Sequence, residues 1–245
     1  VDAIGPIRSS RHYFLDYALE NDAIYTHFGW SPQAENDISR MDVNNINGIF
    51  YDSGADRDSS ETFWRTKEKS APHNAMVSSD GLIEIANDLG YETISNESSV
   101  LKYVDKEVNL ESDQVANHVT VPYASTNIVE YDYNPDTKLY TRYSKGEVQV
   151  DGVTGAEVTT KNIIITFAEN YTIDDGEDKG RQDLENIGDL DGYYITNGKA
   201  IKITCSKSAR GDKTKYTDST GKEIEVNDGV TYFNIVPIDS EVTFE

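Results

Sequence analysis

The sequence predicts an α+β protein, with an N-terminal α/β domain followed by a β-rich domain formed as an antiparallel sheet or a barrel-like closure of one. Three observations carry this. Up to about residue 112, stretches with the helical period alternate with stretches of period two; beyond it nearly every apolar pattern has the strand period; and residues 95–118 are polar and acidic, as a domain junction is. With 245 residues the chain is long enough for two ordinary domains, 1–112 and 113–245, each able to bury most of its apolar surface.

The first helix is expected from Ser9 or Ser10 onward. Either serine can cap it, and Tyr13 with Tyr17, and Phe14 with Ala18, stand four apart and share a face. Residues 23–28 read as a strand that Gly29-Trp30 breaks, with Ser31 as N-cap of the next helix and Pro32 at its first position. Residues 41–60, rich in Asn, Asp, Gly and Ser, read as a loop anchored by Phe50-Tyr51. The best-marked helix follows: Ser78 or Ser79 caps it, Leu82, Ile85, Ala86 and Leu89 form its apolar stripe, and Gly90 stops it.

In the second domain, residues 128–133 and 138–143 flank 134–137 as a hairpin with a four-residue turn. Residues 162–167, 200–205, 215–217 with 223–226 around Thr220-Gly221, and 231–236 continue the strand series. Short strands at this spacing argue for a sheet that curls or closes. No internal repeat is visible.

Composition excludes several functions. A formal charge of −22 repels nucleic-acid phosphates, and no basic stripe overcomes that field. The single Cys205 forbids an internal disulfide and sits in a strand pattern, as a buried structural thiol does. Four histidines and one cysteine cannot supply zinc-finger spacing, and neither a metal nor a cofactor is expected. Asp174 to Asp178 is oxygen-rich but lacks the spacing of an EF-hand loop, so it reads as a solvated acidic turn. No stretch approaches the roughly 20 apolar residues of a membrane span, and no signal peptide is present, so the chain as given reads as soluble.

The functional signal is an asymmetry. Arg8, Arg11, Arg40, Arg57 and Arg65, five of eight arginines, and His12, His27 and His73, three of four histidines, fall in the first third of an acidic chain. Arg8 and Arg11 flank the predicted helix start, where unpaired N–H groups and planar guanidiniums suit phosphate or carboxylate; paired with Asp16 or Glu20 they would instead be surface ion pairs. His27 closes a strand just before a turn, as a ligand-facing residue does, or it is a core histidine bonded to backbone. Arg65 follows Phe63-Trp64, whose rings fill the core or stack on a sugar. His73 and Asn74 follow Pro72 just ahead of the best-marked helix. The ligand-binding set is thus Arg8, Arg11, His27, Ser31, Arg65, His73 and Asn74, and no catalytic residue is assigned. No nucleophile elbow, zinc-protease motif, phosphate loop or dinucleotide fingerprint occurs.

Four motifs in order, Ile4-Gly-Pro-Ile-Arg-Ser-Ser-Arg-His-Tyr-Phe14, Asp22-Ala-Ile-Tyr-Thr-His27 with Gly29 and Ser31-Pro32, Phe63-Trp-Arg65 and Pro72-His-Asn74, resemble those of the YerB-like bacterial lipoproteins, a family of unknown function. Lys161-Asn-Ile-Ile-Ile165, Asn197-Gly-Lys199, the Asp218 to Glu223 turn and Val230-Thr-Tyr-Phe-Asn-Ile-Val-Pro237 resemble its C-terminal domain. The resemblance covers nearly the whole chain. It implies an α/β domain, a β-rich domain and a protein lipid-anchored outside the membrane of a Gram-positive bacterium. It also implies an upstream lipobox cysteine, linker and further strands that precede Gly5 in the family and are missing here, as in a truncated or processed product. Cys205 stands where the family usually has Trp.

The expected partner is therefore an anionic small molecule or cell-wall component, with no nucleic acid, and with the membrane met only through a lipid anchor absent from this chain. The alternatives are a hydrolase of an envelope polymer using His27 and His73 as acid and base, and a non-catalytic envelope scaffold presenting an apolar patch or an open sheet edge.

Overall fold

A computed structural model of the chain describes residues 1–56 and 62–245, with only the backbone for 53–56. Arg57 and the end of the 41–60 stretch lie outside the described residues. The architecture is broadly α+β, in two compact units: Val1–Ser98 with Arg210–Asp212, and Ser99–Ala209 with Lys213–Glu245.

The first unit comprises α1 (Phe14–Glu20), β1 (Tyr25–His27), α2 (Pro32–Arg40), β2 (Asn45–Asn47), β3 (Asp52–Asp56), β4 (Phe63–Arg65), β5 (Ala75–Val77) and α3 (Ser79–Asp88). Strands β1 and β2 pair in parallel through the α2 crossover, while β3, β4 and β5 form a second small sheet. Ser31 caps α2 as its sequence requires, its Oγ accepting from the Ala34 N–H at 3.2 Å with Pro32 behind it. Ser78 does the same for α3 through Gly81 N–H at 3.0 Å. Ile85 and Ala86 of α3 pack with Ile46, Phe63 and Val77, whereas Leu89 is exposed.

Three local expectations fail here. Helix α1 starts at Phe14, not beside Ser9 or Ser10, and no side chain caps it. Ser10 is spent elsewhere: its N–H donates to Gly29 carbonyl at 2.8 Å and its carbonyl accepts from Ser31 N–H at 3.1 Å. Tertiary pairing thus overrides cap propensity. The stretch after Met41 is not a loop, because it contains β2, a 3-10 turn over Gly48–Phe50, and β3. Polar composition misleads there, since Ile46 is core and Asn47 uses its side chain as a backbone surrogate, accepting from Gly29 N–H and Ile49 N–H. Of the expected anchor, Tyr51 stacks near Phe63 but Phe50 is exposed. Gly48 is required by close approach, as a Cβ there would fall 2.6 Å from Phe63 and 2.7 Å from Phe28.

Residues 4–10 stitch the two small sheets of this unit together. Ile4 exchanges backbone bonds with Val77, Ile7 N–H donates to Ala75 carbonyl at 2.8 Å, and Arg8 carbonyl accepts from Phe28 N–H at 2.8 Å. Arg8 is therefore held by backbone between β5 and the continuation of β1.

The second unit contains β6 (Tyr103–Val104), β7 (His118–Ala124), β8 (Asn127–Asn134), β9 (Leu139–Ser144), β10 (Glu147–Val148), β11 (Thr159–Thr160), β12 (Asn162–Ala168), β13 (Asn170–Thr172), β14 (Gln182–Leu184), β15 (Gly188–Thr196), β16 (Lys199–Lys207), β17 (Lys215–Asp218), β18 (Val226–Asn227), β19 (Thr231–Pro237) and β20 (Thr243–Phe244). One sheet runs β10-β9-β8-β7-β20, with β11 also on β9; the other runs β17-β16-β15-β12-β19. Among the described residues no sheet closes into a barrel, so that expectation is corrected. The sheets are also not purely antiparallel, since β12 and β19 pair in parallel from Asn162↔Thr231 to Ala168↔Pro237.

The burial of β12 explains why closure is unnecessary. Ile163 and Ile165 pack with Val119, Tyr131 and Tyr140 of the other sheet, while Ile164, on the opposite face, packs with Tyr194, Ile203, Cys205 and Tyr216. An unbroken Ile-Ile-Ile run is what a strand covered on both faces needs. Leu101 and Leu110, on the N-terminal side of the junction expected at 112, pack in this second cluster. The predicted hairpin forms between β8 and β9, and Asn134 Oδ1 shapes its turn by accepting from Asp136 N–H and Thr137 N–H. Only a single bridge, Thr217↔Glu223, joins the segments predicted around Thr220-Gly221; Val226 and Asn227 pair with β6 instead.

Cys205 is 2% exposed, and burial pushes its thiol up to about 11. The acidic run is not merely solvated: Asp175 and Glu177 grip Arg181.

Candidate functional site

The N-terminal strap and the β4–β5 hairpin bring four of the seven predicted site residues into one continuous set. Arg65 pairs with Ala75 across β4 and β5, and Thr66 N–H donates to Asn74 carbonyl at 2.9 Å, so His73 and Asn74 enter β5 beside Arg65. Ile7 binds the same strand, which sets Arg8 next to His73. The Arg8 Nη1 donates to the His73 ring, 2.7 Å from Nδ1 and 3.2 Å from Nε2, and both side chains are exposed.

Arg65 is more constrained. Its Nε and Nη2 meet Asp52 Oδ2 at 2.9 and 2.8 Å, its Nη1 donates to Asn74 Oδ1 at 3.0 Å, and the guanidinium lies 4.3 Å from the centre of the Phe28 ring. Asp52 offsets the charge of Arg65. Among the described residues no carboxylate is paired with Arg8, so the net positive charge of this ridge sits at Arg8. Asp52 and Phe28 were not among the predicted residues, and the polar composition of the 41–60 stretch hides a carboxylate that β3 carries to Arg65.

The other three predicted residues do not join them. His27 is fully buried, with Nδ1 2.9 Å from the Gly29 carbonyl, Nε2 3.1 Å from Asn45 Oδ1, and its ring stacked on Tyr25. Both nitrogens are engaged, so His27 cannot exchange protons with a substrate beside His73. Ser31 is 1% exposed and its hydroxyl is spent on capping. Arg11 turns back on its own neighbours, donating to Ser9 Oγ at 3.1 Å and Ser10 carbonyl at 2.9 Å; it pairs with neither Asp16 nor Glu20. Arg11 stands in the turn that leads into α1, its carbonyl accepting from Phe14 N–H at 3.1 Å, whereas Arg8 lies further upstream in the segment bonded to β5 and to Phe28.

A larger concavity, of about 850 Å³, lies in the second unit between residues 108–114, β15, β16 and residues 218–225. Its charged lining is mixed, with Lys202 and Lys222 beside Glu111, Glu223 and Glu225. Among the described residues no group of three or more His, Cys, Asp or Glu side chains could hold a metal ion, and no helix is long and apolar enough to cross a membrane.

This two-unit α+β organisation, with a strap-bound arginine in the first unit and a two-sheet sandwich in the second, defines a two-domain protein family whose function is unknown. Residues 1–92 match the N-terminal domain, and residues 119–233 the C-terminal domain, of the protein of unknown function family DUF3048, and the chain belongs to that family. It is 31% identical over 242 residues to the Bacillus subtilis (strain 168) protein named "Putative lipoprotein YerB", a match covering 96% of this chain and 67% of that protein. It is also similar to the crystal structure of the YerB protein from Bacillus subtilis, with a TM-score of 0.82, 28% identity, and coverage of 99% of this chain and 78% of that one.

Proposed function

We propose that this protein is an extracytoplasmic, lipoprotein-type component of the cell envelope whose N-terminal unit binds an anionic small molecule or wall component on the Arg8–His73 ridge. The relative's name supports the location: a lipid anchor would hold the full-length protein at the outer face of the membrane. The observation that carries the binding reading is the exposed Arg8 guanidinium, held by backbone and directed by His73. Among the described residues its Nε and Nη2 have no partner, and they suit the paired oxygens of a phosphate or carboxylate. Asn74 and Asp52 keep Arg65 rigid alongside, so the ligand meets a preorganised surface.

Calorimetry tests this with glycerol phosphate and N-acetylmuramate as probes, on the wild type, on Arg8→Ala with His73→Ala, and on Arg11→Ala. The double variant should lose roughly tenfold or more in affinity, the worth of one or two charge-assisted hydrogen bonds. Arg11→Ala should bind normally, since Arg11 serves its own loop. Equal heats for the wild type and the double variant, or none for either, would refute the reading.

A further inference from the structure

The sandwich of the second unit contains a cation that no described carboxylate neutralises. Arg142 points inward from β9. Its guanidinium lies 4.6 Å from the centre of the Tyr232 ring, its Nη1 donates to Gln149 Oε1, and its buried Nε has no partner. Tyr131, its register partner on β8, donates to Asn234 Oδ1 at 3.1 Å, and Tyr123 donates to that same oxygen at 3.0 Å. Asn234 is 1% exposed, and its Nδ2 likewise has no partner.

Each feature is costly by itself. Arg142 as a whole is half-buried, but its shielded Nε, like a buried amide N–H, needs an acceptor. Here both deficits fall within one interlocked set, around the hydroxyl of Tyr131. The Asn234 carbonyl oxygen already accepts from two hydroxyls, and the groups left unmet on Arg142 and Asn234 are donors. An anion needs donors alone. We propose that Arg142 Nε and Asn234 Nδ2 hold a small monovalent anion of halide size inside the sandwich. Both nitrogens are shielded from solvent, so the ion would sit out of bulk water. The overall charge of −22 does not oppose this strongly, since exposed charges more than about 8–10 Å away are screened at physiological salt while a buried contact is not.

Crystals of the full chain soaked in sodium bromide should show an anomalous peak in contact with Arg142 Nε and Asn234 Nδ2, and crystals soaked in acetate should show none there. In solution, replacing sodium gluconate by sodium chloride at equal ionic strength should raise Tm by a few degrees. Arg142→Met keeps the stem against Tyr232 and should abolish both signals. Asn234→Asp places a carboxylate beside the guanidinium, so it should remain folded and lose the chloride response even if Arg142→Met fails to fold. Absence of a bromide peak in the wild type, or a chloride response that persists in Asn234→Asp, would overturn the proposal.

Discussion

Arg210 offers the sharpest test of how the first unit is held. The segment Arg210–Asp212 belongs to that unit, and there the Arg210 Nε lies 2.7 Å from Asp16 Oδ1 on α1, its Nη1 2.5 Å from Asp37 Oδ2 on α2, and its Nη2 donates to His12 carbonyl at 2.8 Å. Asp16 and Asp37 are 2% and 7% exposed, so truncation to alanine withdraws the guanidinium that offsets two buried carboxylates. Breaking such a pair costs about 3–5 kcal/mol. The Arg210 side chain is itself 27% exposed and Arg40 also reaches Asp37 at 3.1 Å, which puts the expected loss near the lower bound, about 3 kcal/mol. Both tryptophans, Trp30 and Trp64, lie in this unit, so tryptophan fluorescence reports its unfolding. With a slope of about 1.5 kcal/mol/M the urea midpoint should fall by about 2 M in Arg210→Ala. Adding Asp16→Asn and Asp37→Asn to that variant should recover much of the loss, because the buried charge goes with them. A midpoint shift under about 0.3 M, or no recovery in the triple variant, would show that the guanidinium does not hold α1 to α2.

Two further outcomes are expected in the second unit. Glu107 is pulled down to about 2 by hydrogen bonds from Lys138 and Lys161, and this stabilisation is fully present above its unfolded value near 4.5 and is lost as pH falls through about 2. Glu107→Gln should therefore flatten the fall in urea midpoint between about pH 4.5 and 2, read by tyrosine absorbance; parallel curves for variant and wild type would refute the assignment. With its thiol raised to about 11, Cys205 should have only about one thiolate in a thousand at pH 8, so the native protein should resist a thiol reagent that labels the urea-unfolded chain at once. Equal labelling rates in both states would contradict that burial.

What the chain order alone determined are the features whose partners are close in sequence. Ser31 and Pro32 start α2, Ser78 starts α3, and Asn134 shapes its hairpin, each through bonds spanning two or three residues. Ile163 to Ile165 declared a strand because an apolar run of that kind suits burial on both faces. The clustering of arginine and histidine near the N-terminus likewise marked the region where Arg8 and His73 meet.

Only tertiary structure decided which of those groups stay open to solvent. His73 is 65 residues from Arg8, and Asp16 is 194 residues from Arg210. Sheet register and strap pairing bring such groups together, and no local period encodes them. The same pairing took Ser10 away from capping α1 and buried His27 against the Gly29 carbonyl and Asn45 Oδ1, because polar groups in the interior must be satisfied before any side chain is free to serve a ligand.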